Sequence, residues 1–230
     1  MKIAAIILSR YDSTRLPGKA LLKIAGRPII QYVIELCKSI NNISDVVLAT
    51  TNRKIDDNLV KFAESQKIKV VRGSHKDVAG RFLQSMDDLD LDGAIRVNGD
   101  SPLNNVKLLN FGMKIFQNNK FDLVTNIKDR SYPMGMSMEI ISKKAMRVAY
   151  GNIRSYDHRE HVTKYFYENY NLFKIYSVTL KKFNYGNINL ALDTADDFNK
   201  IKWIIKNLNS KLYEVDFEDL IKLSNKYYKL

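Results

Sequence analysis

Ile3-Ala4-Ala5-Ile6-Ile7-Leu8-Ser9-Arg10-Tyr11-Asp12-Ser13-Thr14-Arg15-Leu16-Pro17-Gly18-Lys19 holds an apolar run that passes straight into a basic, glycine-bearing loop. Six consecutive apolar residues closed off by polar ones predict a strand buried on both faces, the kind found inside a parallel sheet. The same run has the look of a short signal segment, but Ser9-Arg10-Tyr11-Asp12 cuts it off and no small-residue cleavage site follows. The connection from Ser9 to Gly26 far exceeds the roughly 2–6 residues usual between a strand and its helix, and connections of that length commonly carry function.

Further along, strand-like and helix-like stretches alternate. Strands are expected over 3–8, 45–49, 69–71, 94–97 and 122–125, and helices over 29–38, 56–66, 78–87 and 107–118. In the first helix Ile29, Val33, Leu36 and Cys37 share one face, and Pro28 is placed at the first helical position. This order predicts an α/β fold, a mostly parallel sheet flanked by helices. After Tyr132 the pattern loosens: strands over 138–141 and 174–180 enclose a helix over about 159–170. The chain reads as a single domain, 1–230, in which about 130–182 forms a sub-lobe, an antiparallel extension or a dimer arm. Ligands of open α/β sheets sit beyond the carboxyl ends of the strands, so the informative residues are those just after each strand.

Bulk properties narrow the class. The chain has 230 residues, 45% hydrophobic and 27% charged, which suits a core that needs no disulfide. The single cysteine, Cys37, lies in an apolar stretch and reads as a core residue, in keeping with a reducing cytoplasmic setting. No apolar run approaches the roughly 18 residues that span a bilayer, so no membrane partner is expected. The net charge of +12 comes from scattered residues, so it is read as a solvated surface. No nucleic-acid-binding pattern accompanies it, and none is expected as a partner.

The loop after the first strand carries Arg10, Arg15 and Lys19 around Pro17-Gly18. Glycine lets a backbone approach a ligand closely, arginine offers phosphate a rigid fork and lysine a mobile point charge. Phosphate binding and a basic surface loop both fit that composition. The spacing is neither that of a P-loop nor that of a dinucleotide-binding glycine motif. The run Ser13-Thr14-Arg15-Leu16-Pro17-Gly18-Lys19 with Ser9-Arg10 before it resembles the signature loop of the cytidylyltransferase family. That family includes CMP-Kdo synthetases, acylneuraminate cytidylyltransferases and spore-coat polysaccharide biosynthesis cytidylyltransferases. The likeness is strongest to the spore-coat type and extends over nearly the whole chain. It implies a nucleotide-diphospho-sugar transferase (glycosyltransferase-A-like) fold, CTP as substrate, and contact of Arg10, Arg15 and Lys19 with the triphosphate. Leu8, Ser9 and Asn98 at the strand ends join them on the nucleotide side.

Two acidic positions follow strands. Asp100, in Arg96-Val97-Asn98-Gly99-Asp100-Ser101-Pro102, suits a turn as well as a hard cation. The family's Arg-x-x-Gly-Asp-x-Pro pattern assigns it to Mg²⁺. Leu190-Ala191-Leu192-Asp193-Thr194-Ala195-Asp196-Asp197 reads as the end of a strand and the start of a helix, with Thr194 as cap and Asp196 and Asp197 at the positive helix start. The resemblance gives Asp193 to the same Mg²⁺ and makes Arg10, Lys19, Asp100 and Asp193 the catalytic set.

Arg72-Gly73-Ser74-His75-Lys76-Asp77-Val78-Ala79-Gly80-Arg81-Phe82 matches the family segment beside the base. Arg72, Ser74 and Asp77 are base-side candidates, with helix capping the other reading of Asp77, and His75 is taken as a surface residue. Tyr132-Pro133-Met134-Gly135-Met136-Ser137-Met138-Glu139 matches the acceptor segment, which places Tyr132, Gly135 and Glu139 on the acceptor side. It departs at Ser137, where aspartate is usual. The change fits a different or more anionic acceptor, or a relative of reduced activity. Arg159-Glu160-His161-Val162-Thr163 is a further motif of the spore-coat type. Arg159 and His161 read as acceptor contacts or as a network at a helix start.

The implied reaction transfers CMP from CTP to a sugar acid or other small anionic glycan precursor, releasing pyrophosphate, in surface polysaccharide synthesis. A homodimer is the expected assembly. Two other readings stand beside it: a non-catalytic nucleotide-binding relative, and a glycosyltransferase of the same fold, which would want an Asp-x-Asp motif that is missing after the fourth strand.

Overall fold

A computed structural model describes residues 1–13 and 15–229; Thr14 of the signature loop lies outside the described residues. Strand β1 (Ile3–Leu8) is buried along its whole length. The loop beyond it is not shapeless. It contains a 3₁₀ turn at Lys19–Leu21 and a small hairpin, β2 (Lys23–Ile24) against β3 (Arg27–Pro28). Helix α1 (Ile29–Lys38) follows, with seven of its ten residues buried, so it is anchored in the core over most of its surface. Pro28 stands one position earlier than expected: it is the N-cap, with φ −61° and ψ 149°, because it still pairs in the hairpin.

Next come β4 (Asp45–Thr51), α2 (Asp57–Ser65), β5 (Lys69–Gly73), α3 (Val78–Asp88), β6 (Gly93–Asn98), α4 (Val106–Asn118) and β7 (Leu123–Thr125). Each coincides with an expected element to within two residues. The later part holds β8 (Glu139–Ser142), α5 (Lys143–Asn152), α6 (Tyr156–Glu160), α7 (Lys164–Glu168), β9 (Ile175–Ser177), α8 (Ala195–Lys206) and α9 (Phe217–Tyr227).

Seven strands form one sheet in the order β5-β4-β1-β6-β8-β7-β9. The pairs β4/β5, β1/β4, β1/β6 and β7/β9 are parallel, and β6/β8 and β7/β8 antiparallel. The region 130–182 therefore adds strands β8 and β9 to the same sheet. Alternate residues of the central strands enter two cores: Ile3, Ala5 and Ile7 on one face with α1 and α4, Ala4, Ile6 and Leu8 on the other with α3 and α5.

Three expectations change. The strand expected over 174–180 is cut to Ile175–Ser177 in β9. The single helix over 159–170 is two short helices. His161 is extended (φ −108°, ψ 90°), and Val162 and Phe166 on its far side both join the second core. The stretch 189–192 is not a regular strand: it makes one parallel bridge, Asn189 with Met134, and Leu190 N–H donates to the Met134 carbonyl at 2.7 Å. No helix among the described residues is long and apolar enough to cross a membrane.

Candidate active site

The ends of β1 and β6 lie side by side, with Leu8 opposite Asn98. Gly99 N–H donates to the Leu8 carbonyl at 2.9 Å, and a Cβ on Gly99 would stand 2.6 Å from the Ser9 side chain. Only glycine permits this approach. It delivers Asp100 directly above the sheet. The Asp100 carbonyl then accepts Leu192 N–H at 3.1 Å, which brings Asp193 alongside. Asp193 is fixed from behind by a helix start. Asp197 and Thr194 form a reciprocal capping box on α8, and Asp197 Oδ2 also accepts Asp193 N–H at 3.2 Å.

Residues 9–13 and 15–19 of the loop close over this corner. Tyr11 N–H donates to the fully buried carboxylate of Asp56 at 2.7 Å, and Gly18 N–H donates to the Tyr11 carbonyl at 2.8 Å. Gly18 sits at φ 69°, the left-handed conformation that starts the 3₁₀ turn and aims Lys19 inward. Lys19 Nζ contacts the Asp100 carboxylate, lies 3.0 Å from Asp193 Oδ1 and donates to the Leu192 carbonyl at 2.9 Å. Arg15 Nη2 is 2.9 Å from the same Asp193 oxygen.

These groups border a cavity of about 340 Å³ at the carboxyl end of the sheet. Leu8, Ser9, Arg10, Arg15, Lys19, Asn98, Asp100, His161 and Asp193, each expected from the sequence, line it. The paired carboxylates already converge on one cationic point, the Lys19 ammonium. That arrangement fits Mg²⁺, which takes one or two protein carboxylates and fills its shell with phosphate oxygens and water. Among the described residues no group of three or more His, Cys, Asp or Glu side chains is gathered for a metal, so the fit depends on those outside ligands.

Six lining residues were not anticipated: Ser13, Ala20 and Val78, and the charged Arg81, Arg96 and Glu160. Arg81 is 2% exposed. Burial first, and then the neighbouring charge of Arg10, push its guanidinium down to about 10, against the pull of Glu160, Asp56 and Asp77. Arg96 is held by the fully buried carboxylate of Glu139, which also accepts the Tyr167 hydroxyl at 2.7 Å. Glu160 Oε1 accepts from Arg10 Nη2 at 3.0 Å. The Nε atoms of Arg81 and Arg96 and Oε2 of Glu160 are buried without a protein partner. Buried polar atoms are rarely left unpaired, so these three are exceptions beside the site. A signal was present: each arginine is a charge at a core-facing period of its element, and both lie within the quoted motifs.

The remaining expected site residues stand around the cavity rather than in it. Arg72 donates to the Thr51 and Arg53 carbonyls at 3.0 and 2.9 Å and pairs with Asp57 at 2.8 Å. Ser74 gives its carbonyl to Arg81. Asp77 caps α3, with Oδ1 accepting Gly80 N–H at 2.8 Å, while Oδ2 accepts from Tyr150 at 2.7 Å and Arg159 at 2.8 Å. Arg159 is thereby directed to Asp77. Tyr132 packs its ring against Phe217, centroids 5.4 Å apart. Gly135, at φ 94°, lets the backbone pass against Leu190 and Ala191, where a Cβ would meet main-chain atoms at 2.5–2.7 Å. Glu139 supports Arg96 from below. His75 is not a free surface residue: it is half-buried, its Nδ1 has no partner, and its Nε2 is 3.8 Å from Asp12.

Comparisons with known proteins bear on the chain as a whole. A family profile described as cytidylyltransferase matches residues 4–220. A solved structure of a cytidylyltransferase from Leptospira borgpetersenii superimposes with a TM-score of 0.93 at 30% identity, covering 100% of this chain and 96% of that one. An uncharacterized protein of Methanocaldococcus jannaschii is 34% identical, covering 98% of this chain and 91% of its own length. The spore coat polysaccharide biosynthesis protein SpsF of Bacillus subtilis is 24% identical, covering 97% and 94%.

Proposed function

This chain belongs to the cytidylyltransferase family, and from that premise we propose that it transfers CMP from CTP to a sugar acid or other anionic glycan precursor with release of pyrophosphate. The convergence of Lys19, Asp100 and Asp193 at the mouth of a cavity walled by Arg10, Arg15, Arg81 and Arg96 is the observation that carries the reading. The kinship with SpsF supports a place in surface polysaccharide synthesis.

The chemistry is an in-line attack by an acceptor oxygen on the α-phosphorus, with the bond to the β-phosphate oxygen breaking behind it. Such a displacement asks a protein for alignment and charge neutralisation. Arg10, Arg15 and Lys19 are the cations that receive the departing pyrophosphate. Ser9 and Asn98, at the two strand ends, line the floor of the cavity. Glu139 orients Arg96, and Glu160 orients Arg10, so both arginines are fixed before substrate arrives. Mg²⁺, held by Asp100 and Asp193, would supply neutralisation of the phosphate charge. A carboxylate or phosphate acceptor is already deprotonated at neutral pH, whereas a hydroxyl acceptor has to lose its proton.

The test is pyrophosphate release with Mg²⁺, each of the four ribonucleoside triphosphates, and a panel of sugar acids, sugar phosphates and phosphonates. Release with CTP and at least one acceptor is expected, falling at least about 100-fold in Asp100→Ala, the scale of losing one preorganised charge-stabilising group. Failure to bind CTP by calorimetry would overturn the nucleotide reading itself.

A further inference from the structure

Lys200 carries a buried charge that the transfer chemistry leaves unused. It lies in the second turn of α8 and is 2% exposed. Lysine is seldom buried this completely unless something pairs with it. Two groups meet its ammonium. The Tyr228 hydroxyl, just beyond α9, accepts from Nζ at 3.1 Å, and Oδ1 of Asp197 lies 3.5 Å away. Among the described residues Asp197 is the one carboxylate paired with it.

Asp197 is itself buried, and both its oxygens are engaged. Oδ1 also accepts Asn189 Nδ2 at 2.9 Å. Oδ2 accepts Thr194 N–H at 3.0 Å, the Thr194 hydroxyl at 2.9 Å and Asp193 N–H at 3.2 Å. One oxygen thus holds both the cap of α8 and the main chain of Asp193. On its other side the Asp193 carboxylate meets Lys19 and Arg15 at the cavity. Taking one partner from a buried ion pair leaves the other uncompensated, and it is displaced toward water. Without the Lys200 ammonium, Asp197 would be drawn away from Asp193 N–H, and the carboxylate in front would lose its fixed support. Groups that orient a metal ligand tune the metal although they never touch it.

We infer that Lys200 is a positioning residue for the metal-binding carboxylate of Asp193, acting through Asp197. The inference rests on the assignment of Mg²⁺ to Asp100 and Asp193 in the transfer reading. A lysine that merely fastened α8 to the end of α9 would also be buried against Tyr228. The two roles differ in what the metal feels, so the measurement is Mn²⁺ binding at saturating CTP, read by electron paramagnetic resonance, with the thermal midpoint recorded beside it.

Lys200→Met should weaken Mn²⁺ binding by about ten-fold or more, the scale of losing a group that orients a metal ligand. CTP affinity without metal should be unchanged, and Lys200→Arg, which keeps the cation, should recover most of the loss. Tyr228→Phe removes the tie to the end of α9 but leaves the charge beside Asp197, so it should lower the thermal midpoint and spare Mn²⁺ affinity. A lower midpoint with wild-type Mn²⁺ affinity in Lys200→Met overturns the inference, as does an equal weakening in Tyr228→Phe. If Lys200→Met does not fold, Asp197→Asn takes its place at nearly the same volume, and wild-type Mn²⁺ affinity in that variant is equally decisive against it. Wild-type protein that binds no Mn²⁺ tightly with CTP would remove the metal assignment and the inference together, whereas normal affinity in a folded Lys200→Met removes the inference alone.

Discussion

Asp12 is the point at which the signature loop is pinned to the residues that follow β4 and β5. Arg53 Nη1 lies 2.7 Å from its Oδ2, Arg10 Nε 3.7 Å from its Oδ1 and His75 Nε2 3.8 Å from its Oδ2. The hydrogen bond from Arg53, more than any other cause, holds the Asp12 carboxyl below the usual carboxylate range, against its burial. Burial, followed by the charge of Arg53, presses the His75 imidazole below its ordinary value, with Asp12 opposing. Both groups bind protons less readily in the folded chain than in the unfolded one. As pH falls the unfolded chain therefore protonates first, and stability declines. For His75 that decline begins near the free imidazole value of about 6.5, and for Asp12 near about 3.9. The midpoint of urea unfolding should drop between pH 7 and pH 5, and His75→Gln should flatten that drop. An equally steep drop in the variant would show that His75 contributes nothing to it.

At the scale of elements, one carboxylate ties three helices together beside the site. Asp77 caps α3 and accepts from Tyr150 on α5 and Arg159 on α6, the helix that also carries Glu160. Asp77→Ala should lower the free energy of unfolding by about 2–3 kcal/mol, of which the cap accounts for ~1 and the two side-chain donors for the rest. Asp77→Asn keeps the cap and should lose roughly half as much; guanidinium denaturation distinguishes the two. A loss under about 1 kcal/mol in the alanine variant would mean that the helices hold their places without it. The regular elements were legible because their patterns are strong: six apolar residues in β1, and a broad apolar face in α1. The break between α6 and α7 was not. No glycine or proline marks it in residues 156–170, so nothing in the local sequence signals an end to the helix there. Arg81 and Arg96 escaped notice for a related reason, since a charge at a core-facing position acquires meaning only when the cavity behind it is known. The motif residues of the loop were readable one by one, whereas their convergence depends on Gly99 and on the register of β1 with β6.

Over the whole molecule, the sheet acts as a platform whose strand ends collect residues from both halves of the chain. Lys19 and Asp193 meet across 174 positions of sequence, and Glu160 reaches Arg10 across 150. What arrives at that meeting point is a lysine that is only 12% exposed and already lodged between two carboxylates. The free protein therefore carries its own resident counter-ion. A divalent cation arriving by itself must compete with a tethered ammonium that is always at hand, while a triphosphate offers that ammonium another anion to follow. Cation and nucleotide should then enter as partners, each raising the affinity for the other, as thermodynamic coupling requires. Electron paramagnetic resonance of Mn²⁺ reads this directly: weak binding to the protein alone, tight binding with CTP, and in Lys19→Met binding without nucleotide that is tighter by about ten-fold, or ~1.4 kcal/mol. If Lys19→Met binds the lone ion no better than the wild type, the lysine is not the gatekeeper of that exchange.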